Sequence, residues 1–269
     1  MNKLNIVDNV FRHSELGYCS DFQQSELFEW NRQNIDHLHD IPIVYTDNSY
    51  HLAINNEISY AWLIEPFEIN GSIYENILTI RHNFKKIFTH EKILLDLGPP
   101  FEFIPFGGCW IKPEDQRVYN KTKNISIIAS NKNYTTGHKF RQDVIKQFSD
   151  KMDVYGIGHN FINYKLDGLR DYKFSIVIEN CKRDYWFTEK LIDCFMTGTI
   201  PIYWGCPSIG DFFDLNGILL FDNINDLHNI ISNIDEKLYL NKLEFISKNF
   251  DIGKKYLLPD DYLYNKIKT

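Results

Sequence analysis

The sequence predicts an α/β protein with two parallel-sheet domains. Three observations carry that prediction. The chain has 269 residues, too many for one minimal domain and too few for three. Short apolar runs alternate with helix-like stretches across residues 41–108. A cleaner series of strand–helix repeats then runs from residue 125 to residue 233. Repeated βα units give a parallel sheet whose ligands sit at the carboxyl ends of the strands.

Residues 1–40 are polar with scattered aromatics and show no clear period. Ile41-Pro42-Ile43-Val44-Tyr45 reads as a strand ending at Asp47-Asn48. Residues 59–64 form a second strand, ended by Glu65-Pro66, because proline turns the preceding residue away from helix. Residues 72–83 fit a helix, with Ser72 as N-cap and Glu75 completing a capping box. Ile87-Phe88-Thr89 is a third strand. Residues 90–97 suit another helix, stopped by Gly98-Pro99-Pro100, and residues 103–108 are extended. The alternation pauses at Lys112-Pro113-Glu114-Asp115-Gln116. That sets the expected domains at 1–117 and 118–250, with a tail at 251–269.

In the second half, residues 125–129 are a buried strand ending in the polar turn Ser130-Asn131-Lys132-Asn133. Residues 137–148 form a helix with Phe140, Val144, Ile145 and Phe148 on one face. Residues 152–155 and 174–178 are strands, ending at Gly156-Ile157-Gly158 and Glu179-Asn180. Thr188 caps a helix that runs to about residue 197, and Gly198 stops it. Residues 199–204 and 218–221 are the last strands, with Gly205 ending the first of them. Residues 225–233 are a helix. The tail beyond Lys254-Lys255 mixes basic and apolar residues. Its expected place is against the first domain, with docking on a membrane surface as the alternative.

Composition excludes several classes. Hydrophobic residues are 43% and charged residues 24%, which is ordinary globular usage, not disorder. A net charge of −7 argues against a nucleic-acid binder, while leaving room for a local basic pocket. No apolar run is long enough for a membrane-spanning helix. The first ten residues lack the apolar core of a secretory signal. The five cysteines, Cys19, Cys109, Cys181, Cys194 and Cys206, are scattered with no C-x-x-C pair, which points to reduced thiols in the cytoplasm. His37 and His39 are the nearest histidine pair and read as a solvated loop, not a metal site. Abundant Asn, Ile and Lys reflect an AT-rich genome, bacterial or viral.

The chemistry gathers in the second half, where four strands end in Ser130-Asn131, Gly156-x-Gly158, Glu179-Asn180 and Gly205. Such ends suit a nucleotide, since glycine lets backbone approach a ligand. Thr188-Glu189-Lys190 is the sharper signal. The first turn of a helix presents free N–H groups and a positive dipole end. A lysine there costs some helix stability unless an anion sits beside it. Arg141 lies on the helix after the Ser130-Asn131 strand end and offers a second, bidentate cation for a diphosphate.

Tyr172-Lys173-Phe174 through Glu179-Asn180, then Phe187-Thr188-Glu189-Lys190, then Gly198-Thr199-Ile200-Pro201-Ile202-Tyr203-Trp204-Gly205 resemble, in order and spacing, the signature of the α-1,3/4-fucosyltransferases, glycosyltransferase family 10. The likeness covers residues 125–225 and is to the short bacterial members in particular. It implies a GT-B fold, two Rossmann-like domains facing across a cleft, with GDP-L-fucose in the second. It implies donor-binding roles for Arg141, Asn180, Glu189 and Lys190, with the glutamate near ribose and fucose and the lysine on the diphosphate. The family's tyrosine before its Val-Thr-Glu-Lys falls on Trp186, with Tyr185 beside it, so the resemblance makes Trp186 a fifth donor-binding residue, in contact with the nucleotide. Trp62-Leu63-Ile64-Glu65-Pro66 is similar to the family's Glu-Ser-Pro loop without its serine. That makes Glu65 the candidate general base, with Glu68 in reserve.

The reaction so implied is an inverting transfer to a hydroxyl of an acceptor oligosaccharide, with protein cations stabilising the departing GDP. No Asp-x-Asp triplet occurs in the sequence, which fits stabilisation by protein cations rather than a bound divalent metal; no cofactor is expected beside the donor substrate GDP-L-fucose. Trp62 and Trp110 are the aromatics to watch on the acceptor side. Two other readings stand: a GT-B transferase for a different nucleotide sugar, and a non-catalytic nucleotide-sugar or glycan-binding module.

Overall fold

A computed structural model describes residues 2–8, 17, 22–32, 41–54 and 57–269. The chain divides into two units. The first comprises Met1–Gly108, Asp184–Trp186 and Leu258–Thr269, and the second Cys109–Arg183 and Phe187–Leu257. The change of unit comes before the expected 117/118 boundary because Cys109 and Ile111 are fully buried in the second unit's core. The end of the tail groups with the first unit.

The first unit is a six-stranded sheet of β1 (Asn2–Val7), β2 (Phe28–Asn31), β3 (Ile43–Thr46), β4 (Ser59–Trp62), β5 (Lys86–Thr89) and β6 (Phe101–Phe103). The strands lie in the order β2-β1-β3-β4-β5-β6, and every pairing is parallel. Alternate residues point to opposite faces. Val44, Tyr60, Trp62 and Phe88 pack with Leu263, Tyr264 and Ile267 of the C-terminal helix, Pro259–Lys268. On the other face, Ile43, Tyr45, Ala61, Leu63 and Ile87 pack with Ile73, Tyr74 and Ile77 of α1 (Phe67–Ile80) and Leu94 of α2 (Lys92–Leu95).

Three expectations shift here. Helix α1 begins at Phe67, not after Ser72, because Pro66 is its N-cap and the Glu91 carboxylate accepts the Phe67 N–H at 3.0 Å. Asn70 then breaks the helical dihedrals (φ −129, ψ 46), so a kink lies just before the expected capping box. Helix α2 is only one turn, since Glu91 serves as its N-cap and Gly98 follows at φ 71. Strands β1 and β2 lie in the stretch with no readable period.

The second unit is a five-stranded sheet of β7 (Lys123–Ile128), β8 (Asp153–Tyr155), β9 (Tyr172–Ile178), β10 (Ile200–Trp204) and β11 (Leu219–Leu220). The order is β11-β10-β9-β7-β8, again all parallel. One face buries Phe174, Ile176 and Ile178 with Val144 and Phe148 of α3 (Thr136–Phe148), Leu227 of α5 (Ile224–Asn233), Tyr239 of α6 (Glu236–Asn241) and Ile246 of α7 (Leu243–Gly253). The other buries Val177 and Tyr203 with Leu191, Ile192 and Phe195 of α4 (Glu189–Thr197). The C-terminal helix Pro259–Lys268 of the first unit is α8.

Among the described residues no helix is long and apolar enough to cross a membrane. Cys109, Cys181, Cys194 and Cys206 are buried free thiols; Cys19 lies outside the described residues.

Candidate functional site

In the second sheet the chain runs outward in both directions from one place. From β7 it crosses through α3 to β8 on one side; from β9 it crosses through α4 to β10 on the other. The crevice beyond the carboxyl ends of β7 and β9 is therefore the topological switch point, where open parallel sheets bind ligands. Arg141, Asn180, Glu189 and Lys190 gather around it.

Helix α4 forms as its sequence dictates. The Thr188 hydroxyl accepts the Lys190 N–H at 3.4 Å, and Gly198 closes the helix in the left-handed region at φ 70. What fixes its start is Glu179, fully buried at the end of β9. The Glu179 carboxylate accepts the Thr188 N–H at 2.9 Å and the Thr188 hydroxyl at 2.8 Å. The Lys190 ammonium donates to the Thr188 hydroxyl at 3.0 Å and lies 3.4 Å from Glu179. The Lys190 side chain is 24% exposed, which leaves it at the rim.

Arg141 reaches the same strand end from α3. Its Nη2 donates to the Ile178 carbonyl and lies 3.4 Å from Asn180 Oδ1. Burial lowers the guanidinium's pKa, while Glu179 and Glu189 hold it up. The helix sits this close because residue 137 is glycine. A Cβ there would lie 1.9 Å from the Glu179 carbonyl oxygen, and the Gly137 N–H donates to Asn180 O at 2.9 Å.

Two further residues complete the cluster. The sequence marks Glu179 only as a strand end. Lys165, on the turn between β8 and β9, bonds Glu189 at 3.2 Å and Asp193 at 2.9 Å and covers the Trp110 ring at 5.4 Å. Burial pulls the Lys165 ammonium down, but Asp193 and Glu189 outweigh it and hold it above its ordinary value. Glu189 is held well below the usual carboxylate range: burial opposes this, and Lys190 and Lys165 prevail. A lone lysine in a turn carries no sequence signal. The approach of Gly156 is explained by the fold itself, since a Cβ there would meet the Ala129 carbonyl at 2.0 Å.

The first unit holds the other two expected residues. Glu65 follows β4 and is partly exposed, with its N–H given to Asp47. Trp186 is 1% exposed, and its indole N–H donates to the Ile64 carbonyl at 3.2 Å. The expectation that Trp186 touches a nucleotide finds no open surface on that side chain. Trp62 is likewise 1% exposed and part of the core, so it offers no wall to an acceptor. Trp110 supports Lys165 in the second unit. Glu68 is exposed in the first turn of α1.

Asp47, beneath Glu65, is buried, and its pKa is pushed up to about 7. Burial is the main cause and the Glu65 charge adds to it, while N–H bonds from Glu65 and Ile64 and a bond to Asn70 oppose it. Among the described residues no group of three or more His, Cys, Asp or Glu side chains is arranged to hold a metal ion; His37 and His39 lie outside them.

Residues 118–239 match the family model described as glycosyltransferase family 10 (fucosyltransferase) C-term. The alpha-(1,3)-fucosyltransferase FucT of Helicobacter pylori is 39% identical over 84 residues, 31% of this chain and 17% of that protein. Alpha-(1,3)-fucosyltransferase B of Drosophila melanogaster is 36% identical over 90 residues, 34% of this chain and 19% of that protein. The matches thus span less than a fifth of these relatives' length. A crystal structure of an α1,3-fucosyltransferase aligns with a TM-score of 0.55 at 18% identity, covering 88% of this chain and 79% of that one. One with GDP aligns at 0.54 and 18% identity, covering 85% and 79%. The fold is of the GT-B class, as the sequence led one to expect.

Proposed function

The chain belongs to glycosyltransferase family 10 by its residues 118–239, and from that premise we propose that it transfers L-fucose from GDP-fucose to a hydroxyl of an acceptor glycan, with inversion. The observation that carries this reading is the pair of cations, Lys190 and Arg141, anchored on Ile178, Glu179 and Asn180 beside the β7/β9 switch point. A diphosphate seated on the first turn of α4 meets the helix dipole and the Lys190 ammonium together. As the glycosidic bond breaks, negative charge grows on the departing GDP, and these fixed donors stabilise it without reorganising.

In this reading Glu189, kept ionised between two lysines, accepts hydroxyl hydrogen bonds from the donor's sugars, and Asn180 supplies an amide at the same rim. Glu65 is the general base that takes the acceptor's proton. The GDP in a solved α1,3-fucosyltransferase of the same fold supports a guanine nucleotide here. The buried free thiols support a reducing compartment such as the cytoplasm.

The test is incubation with GDP-fucose, other GDP-sugars and UDP-sugars, with and without an acceptor panel, reading released nucleotide and the product's anomeric configuration. GDP release from GDP-fucose, stimulated by acceptor and unchanged by EDTA, is the expected result. Release from UDP-sugars alone, or none with any donor, overturns the reading. Glu65→Gln should keep GDP affinity and lose transfer by ~10²–10⁴-fold, the usual contribution of a general base.

A further inference from the structure

Four main-chain groups around Glu65 are each held by a side chain. Asp47 accepts the Ile64 N–H through Oδ1 at 2.7 Å and the Glu65 N–H through Oδ2 at 2.9 Å. The Ile64 carbonyl accepts the Trp186 indole N–H at 3.2 Å, and the Glu65 carbonyl accepts the Tyr74 hydroxyl. The sheet ladder stops one residue earlier, where the Leu63 N–H donates to the Phe88 carbonyl. The three holding side chains come from the end of β3, from α1 and from the 184–186 segment, and each is at most 3% exposed.

Holding a dipeptide this way is costly. Burying a carboxyl group is unfavourable unless its partners compensate. The groups that act on Asp47 are the Glu65 carboxylate, the Asn70 amide and the two N–H bonds. Tyr74 lies within reach of the charges of Asp47, Glu91 and Glu65. These are acids and neutral dipoles. A turn could satisfy residues 64 and 65 with backbone or water at lower cost. What the side-chain arrangement adds is a fixed position for the residue that follows Ile64.

We propose that Asp47, Tyr74 and Trp186 are positioning residues whose shared task is to set the Glu65 carboxylate where it meets the acceptor hydroxyl. This rests on the reading of Glu65 as general base and deepens it. Proton transfer requires the base within hydrogen-bond reach of the proton, and a misplacement of about 1 Å can cost ~10²-fold in rate. It also gives Trp186 a task that its burial allows.

The test uses Asp47→Asn, Tyr74→Phe and Trp186→Phe, each alone and combined with Glu65→Gln, measuring kcat, donor KM and GDP affinity. Each single variant should lower kcat by ~10-fold or more, with donor KM and GDP affinity within about twofold of wild type. In the Glu65→Gln background the further loss should vanish, because residues that act through one group are not additive. Equal losses in both backgrounds mark a merely structural role and overturn the proposal, as do wild-type rates in all three variants. Wild-type turnover in Glu65→Gln alone removes the base assignment and the cradle with it. An inactive Glu65→Gln beside neutral single variants removes only the cradle. Should Asp47→Asn fail to fold, Tyr74→Phe, which removes only a hydroxyl, carries the same decision, and Trp186→Phe, which removes the indole N–H together with one ring, is read beside it.

Discussion

Beside the β7/β9 switch point of the second unit, acids and bases alternate: Glu179 meets Lys190, and Glu189 lies between Lys190 and Lys165. In the first unit the ends of β3, β4 and β5 are followed by Asp47, Glu65 and Glu91, and the neighbouring charges that raise the Asp47 and Tyr74 titrations are acidic. Both units are parallel sheets with the same crossover logic, so the scaffold does not decide the chemistry. The residue placed just past each strand end does. Paired charges keep their groups ionised and suit the capture of an anion. Crowded carboxyl groups move titrations toward neutrality and suit the handling of a proton.

The largest test of that contrast is the pH dependence of stability. Folding raises the Asp47 pKa from its ordinary value of 3.8 to about 7. The folded protein therefore binds this proton more tightly than the unfolded chain. Asp47's contribution to stability is full below about pH 4, falls as pH rises to about 7, and is level above. The fall is ~4 kcal/mol at 1.36 kcal/mol per unit. Urea unfolding of wild type and Asp47→Asn at several pH values should show their difference shrinking by about that amount across the window. A difference independent of pH would mean that the first rim titrates like the second.

Lys190→Ala comes next. It takes from the second rim the ammonium that helps hold Glu179 and faces solvent. Removing one preorganised donor from a developing anion costs ~10²–10³-fold in turnover. The protein should stay folded, since Thr188 still satisfies Glu179 by two bonds. Unchanged turnover would place leaving-group stabilisation elsewhere and end the anion-binding half of the comparison.

The two units also differ in how far they were legible. Strands β9 and β10 and helix α4 follow from continuous apolar runs, a capping threonine and a stopping glycine, and the same reading brought out Arg141 and Lys190. Strand β1 escaped because its buried run is short and broken by an amide: between the core residues Leu4 and Ile6, Asn5 is fully buried and bonds Ile41 O at 3.3 Å and Asn31 at 2.7 Å. Hydropathy periods do not register a buried amide. Helix α8 did leave a signal, Pro259 at its start, acids in its first turn and lysines in its last, with Leu263, Tyr264 and Ile267 at helical spacing. Asp47 and Lys165 left none. Each acts through partners distant in sequence, Ile64 and Glu65 for one, Glu189 and Asp193 for the other, and only the folded chain brings them together.

Lys165→Met is the smallest effect and the sharpest probe, because it makes the second rim resemble the first. Glu189 and Asp193 stand one turn apart on α4 and share this ammonium. Asp193 is 1% exposed, and burial, aided by Glu189, already raises its pKa against the pull of Lys165. Without the lysine, Asp193 should hold a proton at higher pH, and the Trp110 N–H bond to it at 2.7 Å can survive that change. Glu189 keeps Lys190 as a partner. The Lys165 side chain is 27% exposed, so solvent screening limits the loss to roughly 1 kcal/mol, a several-fold rise in donor KM. Lys165→Arg should restore it. The diagnostic is the pH profile. In Lys165→Met, donor KM should worsen as pH rises through the new Asp193 titration, because the second carboxylate then repels a diphosphate. A pH-independent KM would show that Lys190 alone keeps the rim ionised and that Lys165 serves only to pack Trp110.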